Sequence, residues 1–210
     1  RSMKPLMLNI HSKNNEKLYQ LTLQNHAEYC GKYEYHMFNL NLPYNINLDV
    51  SMVAGLVDTF GAVIMLGSDI WFTNMDIDIM SLVKPDSAVT MGEDPCASFP
   101  VNGDFMIFQK TPKTIPFLQK IDQIQRSGQL RFGWQDAVKM LVESGDADGL
   151  DILPVRVLQS FPQHKDILTP VREDCFWRPG DLCIHFVGGD NWKKALDVLA
   201  FSKLRIVFNL

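Results

Sequence analysis

Residues 62–72, AVIMLGSDIWF, set five apolar residues ahead of Gly67, Ser68 and Asp69 and then resume with an apolar group. A run this short and rich in branched side chains, closed by glycine, reads as a fully buried strand. Just upstream, Asp49 stands as an N-cap for a helix carrying Val50, Val53, Val57 and Phe60. Farther back, PLMLNI (5–10) and YHMFNL (35–40) read as strands. Between them, residues 14–34 place Leu18, Leu21, Asn25, Tyr29 and Tyr33 at helical spacing on one face.

Strand, helix, strand, helix, strand in this order predicts an α/β fold, with a mostly parallel central sheet flanked by helices. Downstream, GEDPCASFPVNGD (92–104) has the composition of a surface loop leading into a strand FMIFQ. Helices are expected at 113–126, 134–144 and 191–202, and RIVFNL (205–210) reads as a stub of a longer chain. Ligands of such sheets bind beyond the carboxyl ends of the strands. Asn9, Ile10, His11, Ser68, Asp69 and His185 all fall there.

At 210 residues the chain fits one domain, expected over 3–210, with Arg1-Ser2 ahead of Met3 read as a cloning remnant. A net charge of −4 gives no electrostatic case for nucleic acid or an anionic membrane. No apolar run reaches the ~20 residues that span a bilayer, and no signal peptide is visible, so a cytoplasmic protein is expected. Cys30, Cys96, Cys175 and Cys183 lack zinc-ligand spacing and read as free thiols.

Five further segments carry a family resemblance. GDLCIHFVGGDNW (180–192) puts His185 before a Gly188-Gly189 turn; VNGDFMIFQKT (101–111) has an Asn-x-x strand start; WQDAVKML (134–141) opens a helix on Gln-Asp. LYQLTLQNHAEYCGKYEYHMFNLN (18–41) and ILPVRVLQSFP (152–162) complete the set. With LGSDIWFTNMDIDI (66–79), they resemble retaining glycosyltransferases of the GT-A fold, and more narrowly glycosyltransferase family 34, over roughly residues 5–195. The chain is also similar to the N-terminal glycosyltransferase domain of a chlorella virus protein.

That resemblance implies transfer of a sugar from a nucleotide sugar, a UDP-sugar first, to a glycan or glycoprotein acceptor with retention, in the host cytoplasm if viral. It implies Mn²⁺, or Mg²⁺, held by Asp69 and His185. Gln135 and Asp136 would act on the transferred sugar. Asn9, Ile10, His11, Ser68, Asn102, Asp104, Trp134, Gly188, Gly189 and Lys193 would bind the donor. The family's Asp-x-Asp metal motif is incomplete here, because Gly67 replaces its first carboxylate. Asp76 and Asp78 form a literal Asp-x-Asp several residues later and are the competing metal motif.

Plainer roles stand beside each of these. A lone Asp after a strand is usually a turn or cap residue, Asp136 in a first helical turn favours the dipole in any protein, and Trp134 could be core. Two other function classes share the chemistry: a nucleotide-sugar pyrophosphohydrolase or nucleotidyltransferase, and a non-catalytic nucleotide-sugar-binding module. The first usually carries a Gly-rich basic loop after its first strand, which LNIHSKNNEK lacks.

Overall fold

The computed structural model describes residues 3–11, 16–41, 49–96, 99–128, 130–131, 133–162 and 172–186. Among these residues, eight strands and four α-helices follow in the order β1 (Leu6–His11), α1 (Glu16–Tyr33), β2 (His36–Asn41), α2 (Val50–Phe60), β3 (Ala62–Gly67), β4 (Ile70–Phe72), β5 (Val89–Gly92), β6 (Phe105–Gln109), α3 (Thr114–Arg126), α4 (Trp134–Glu143), β7 (Leu150–Leu153) and β8 (Cys183–His185). A six-stranded sheet runs β2-β1-β3-β6-β5-β7, and β4 with β8 forms a separate antiparallel pair. In the large sheet β6 is antiparallel to both β3 and β5, and the other pairings are parallel. The fold class is as the alternation of elements predicts, and β6 accounts for the one reversed strand.

Strand alternation divides the core in two. Leu8, Val63, Met65, Val89, Met91, Met106 and Phe108 face Val53 and Val57 of α2, Phe117, Leu118 and Ile121 of α3, and Ala137, Val138 and Leu141 of α4. Met7, Ile64, Leu66, Phe105 and Ile107 face the other way, onto Tyr29 and Cys30 of α1 and Ile70 and Phe72 of β4. Asp49 caps α2 as expected, its carboxylate accepting from Ser51 N at 2.7 Å and Met52 N at 3.3 Å.

Helix α1 covers its expected range but buries a different face. Tyr19, Thr22, Asn25, His26, Tyr29 and Cys30 are buried, while Leu21 and Tyr33 are only partly covered. The side chain of Leu18 lies outside the described residues. Polar groups are buried because they bind the backbone of the segment after β3: Thr22 Oγ1 donates to Ser68 O (2.8 Å), and His26 Nε2 to Ile70 O (2.6 Å). Asn25 both donates to Phe72 O (3.0 Å) and accepts from Phe72 N (2.7 Å), and Tyr29 and Tyr33 donate to Ile77 O and Met75 O. A three-residue strand pair has too little ladder of its own, so α1 serves as its template.

The stretch 92–104 is not the plain surface loop its composition suggests. Gly92 ends β5, which the sequence pattern does not separate from its surroundings, and Val101 and Asn102 are buried. The four cysteines are free. No helix among the described residues is long and apolar enough to cross a membrane. The expected helix 191–202, the segment 205–210, and Gly188, Gly189 and Lys193 lie outside the described residues.

Candidate functional site

Three chain segments converge where β3 ends. Gly67 N donates to Asp104 O (2.8 Å) through the β3–β6 pairing, and Ser68 N donates to Ile10 O (3.1 Å), joining the end of β1. Phe186 N donates to Asp69 O (2.8 Å), and Ile70 pairs with His185 across β4–β8. The result is a cluster of Asp69, Asp104 and His185 whose ligand atoms all lie within 4.8 Å of one another, the kind of group that could hold a metal ion. His185 Nε2 stands 3.5 Å from Asp69 Oδ2 and 3.4 Å from Asp104 Oδ2. Those separations are long for hydrogen bonds, and the nitrogen is buried without a hydrogen-bond partner.

Exposure grades across the cluster. The His185 side chain is 0% exposed, Asp69 16% and Asp104 53%, so the imidazole forms the floor and Asp104 the solvent side. Burial alone would lower the His185 pKa. The negative charge of Asp69 and the close approach of both carboxylates outweigh burial, and the pKa is pushed up to about 10. Loss of solvation works against ionisation of Asp104, yet the neighbouring His185 holds its carboxyl below the usual carboxylate range. Two carboxylates converging on a buried imidazole thus demand a positive charge, which a proton or a metal cation can provide.

Gly67 has a steric reason. A Cβ there would lie 2.7 Å from Asp69 Oδ1 and 3.4 Å from Asp104 Cβ. A side chain at 67 would enter the space these carboxylates occupy. The second carboxylate of the cluster therefore comes from the residue just before β6. The sequence reading, which assigns Asp104 to the donor, misses this placement. Only the antiparallel β3–β6 register brings Asp104 to Gly67, and nothing in either motif announces it.

The literal Asp-x-Asp is elsewhere. Asp76 is exposed and ion-paired with Lys32 at 2.5 Å, while Asp78 caps a 3-10 turn over Ile79–Leu82 through Met80 N (2.9 Å) and accepts from Tyr35 Oη. Neither joins the cluster.

The remaining candidates sort by surroundings. Asn102 is buried, its Oδ1 accepting from Asp104 N (3.0 Å) and its Nδ2 donating to Asp94 Oδ2 (3.0 Å). Asp94, half-buried, also accepts from Cys96 N (2.7 Å); burial is the main reason its pKa is raised, and the charges of His185 and Asp104 act on it. Gln135 Oε1 accepts from Gly103 N (2.9 Å), so α4 holds the turn that presents Asp104. Asp136 Oδ2 accepts from Arg131 N (2.7 Å) at the same helix start. Trp134 sits in the apolar core, edge-on to Phe108 at 5.5 Å. At the end of β1, Asn9 is buried and donates to Asn39 Oδ1 (3.0 Å), Ile10 is half-covered, and His11 stacks on Tyr19 at 3.8 Å. Asn9 Oδ1 and His11 Nδ1 are buried without hydrogen-bond partners.

No family model matches the chain, and no curated protein sequence matches it. Solved structures do. A glycosyltransferase involved in glycosylation of the major capsid of PBCV-1 aligns with a TM-score of 0.64 at 14% identity, over 90% of this chain and 96% of that one. The bifunctional glycosyltransferase WbbM aligns at 0.58 and 11% identity, over 89% of this chain and 46% of its own. The galactosyltransferase LgtC, solved with donor and acceptor sugar analogs, aligns at 0.55 and 11% identity, over 87% of both chains. At such identities the likeness establishes the fold: the chain has the GT-A glycosyltransferase architecture.

Proposed function

We propose that this chain, as one GT-A domain over 3–210, is a metal-dependent glycosyltransferase that moves a sugar from a nucleotide sugar, most simply a UDP-sugar, to a glycan acceptor with retention. The observation that carries the reading is the Asp69–Asp104–His185 cluster at the strand ends, with an unpartnered, fully buried His185 Nε2 facing two carboxylates. Oxygen and imidazole donors together suit Mn²⁺ better than Mg²⁺, which prefers all-oxygen shells. When bound, the cation would neutralise charge gathering on the departing diphosphate as a Lewis acid.

The chain's own residues take the other roles. Asp69, Asp104 and His185 hold the cation, and Gln135 fixes the 102–104 turn through Gly103 N. Asn9, Ile10, His11 and Ser68 line the strand ends where the nucleoside would lie, and Gly188, Gly189 and Lys193 are assigned to the diphosphate. Gln135 and Asp136 are placed against the transferred sugar, with Asn102 orienting the approach. The resemblance to family 34, and the part that the PBCV-1 neighbour plays in glycosylating a major capsid, together support a glycan of a viral coat protein as acceptor and the host cytoplasm as the compartment.

Calorimetry with UDP, with Mn²⁺ and with EDTA, tests the core of this reading. Binding is expected only with the metal, and Asp69→Asn, Asp104→Asn or His185→Ala should each abolish the metal-dependent part. Equal affinity in EDTA removes the metal. With a donor and acceptor in hand, NMR of the product's anomeric proton reads the stereochemistry.

A further inference from the structure

A histidine binds a metal through one ring nitrogen only if the other nitrogen carries the proton, and the partner of that second nitrogen decides which. In this protein the partner is Gln159. His185 Nδ1 lies 3.1 Å from Gln159 Oε1, and Gln159 is 1% exposed. The pairing is built in by the backbone. His185 N donates to Ser160 O (2.7 Å), Ser160 N to Cys183 O (3.2 Å), and Ser160 bridges Ile184 in parallel register. The segment carrying Gln159 is therefore locked beside the strand carrying His185. Phe161 packs against the imidazole at 5.3 Å.

Gly92 belongs to the same arrangement. A Cβ at that position would stand 3.4 Å from Gln159 Nε2 and 3.5 Å from its Cγ, so the glycine at the end of β5 leaves room for this amide. Gln159 Nε2 itself is buried without a partner. A buried amide with one end unsatisfied is unfavourable, and a leucine of similar volume would avoid that. Something must favour the amide.

We infer that Gln159 is a positioning residue for the metal site: by accepting the Nδ1 proton of His185, it fixes the tautomer whose Nε2 lone pair points at the space between Asp69 and Asp104. Without that acceptor the neutral ring can carry its single proton on Nε2 instead, where either carboxylate attracts it and where it blocks the cation. The inference rests on the reading of Asp69, Asp104 and His185 as metal ligands. It concerns a residue that touches neither metal nor substrate.

The test is direct Mn²⁺ binding to the full chain, by calorimetry without nucleotide, with thermal unfolding in EDTA as the check on folding. Gln159→Met keeps the length and removes the acceptor; it is expected to weaken Mn²⁺ binding about 10–100-fold, the usual effect of losing the partner of a ligating histidine. Gln159→Glu keeps an acceptor toward Nδ1 and is expected to retain the wild-type affinity. Methionine binding Mn²⁺ as wild type does, or glutamate falling as far as methionine, overturns the inference. Should the methionine variant not fold, glutamate decides: retained affinity upholds the acceptor role and lost affinity overturns it. Wild type that binds no Mn²⁺, or Asp69→Asn that binds it as well as wild type, overturns the metal site itself and this inference with it.

Discussion

On one face of the sheet, α2, α3 and α4 pack through aliphatic and aromatic side chains; on the other, α1 spends Thr22, Asn25, His26, Tyr29 and Tyr33 on backbone groups of residues 68–77. The first arrangement is non-directional and tolerates small shifts. The second fixes the backbone between Ser68 and Ile77 to individual hydrogen bonds, and that backbone delivers Asp69. Rigidity appears on the face where a side chain must be aimed, in keeping with the tolerance of about 1 Å that positioned chemistry allows.

If that division of labour is right, stability and metal affinity should separate. Phe117→Ala, deep in the apolar face, is expected to lose about 3–5 kcal/mol of stability and to leave Mn²⁺ affinity unchanged in the folded fraction. Denaturant unfolding with parallel calorimetry measures both. Asn25→Leu leaves both the N–H and the C=O of buried Phe72 without their Asn25 partner, at about 1–3 kcal/mol for each group. Here the loss should come with weaker Mn²⁺ binding, since Phe72 lies three residues from Asp69 and pairs with Cys183, close to His185. Equal effects of the two variants on metal affinity would break the comparison.

The same contrast explains what can be read in the sequence. Helix α2 is legible down to its cap because apolar spacing and Asp49 report local physics. The buried face of α1 is not, since Thr22, Asn25 and His26 look like solvent-facing residues until β4 is set against them. Asp69 and His185 each stand at a strand end within a recognisable motif. Asp104 enters the cluster through a strand pairing that joins residues 66 and 105, and Gln159 through a bridge that joins 160 and 184. Long-range register of this kind leaves no periodicity in a single sequence.

His26 offers a sharper probe of the polar face. Burial lowers its pKa to about 4, against an unfolded value near 6.5, and the hydrogen bond to Ile70 O opposes that shift. Above pH 6.5 both states are neutral and His26 contributes its full stability. Below it the unfolded chain takes up the proton first, so stability falls as pH drops from 6.5 toward 4. The expected loss between pH 7 and pH 5 is about 2 kcal/mol. His26→Gln keeps a donor for Ile70 O and does not titrate, so the difference between its pH profile and that of wild type, measured in EDTA, should isolate the effect. Parallel profiles would mean that His26 is not held neutral.

The smallest effect is expected outside both faces, at the literal Asp-x-Asp. Asp76 is exposed, and its pKa is lowered chiefly by the hydrogen bond from Lys32. Surface pairs of this kind contribute little because water screens them and the long lysine loses freedom in forming them. Asp76→Asn should therefore shift the unfolding midpoint only slightly and leave Mn²⁺-dependent UDP binding intact. Asp78→Asn should be somewhat more destabilising, because the carboxylate caps the 3-10 turn and meets Tyr35 Oη, yet it too should bind metal normally. In the sequence these two aspartates match the letters of an Asp-x-Asp motif and Gly67-Ser68-Asp69 does not, whereas the fold turns one toward a lysine and the other toward its own backbone. Loss of metal-dependent binding in Asp76→Asn, with Asp69→Asn unaffected, would reverse that ranking and move the site to residues 76–78.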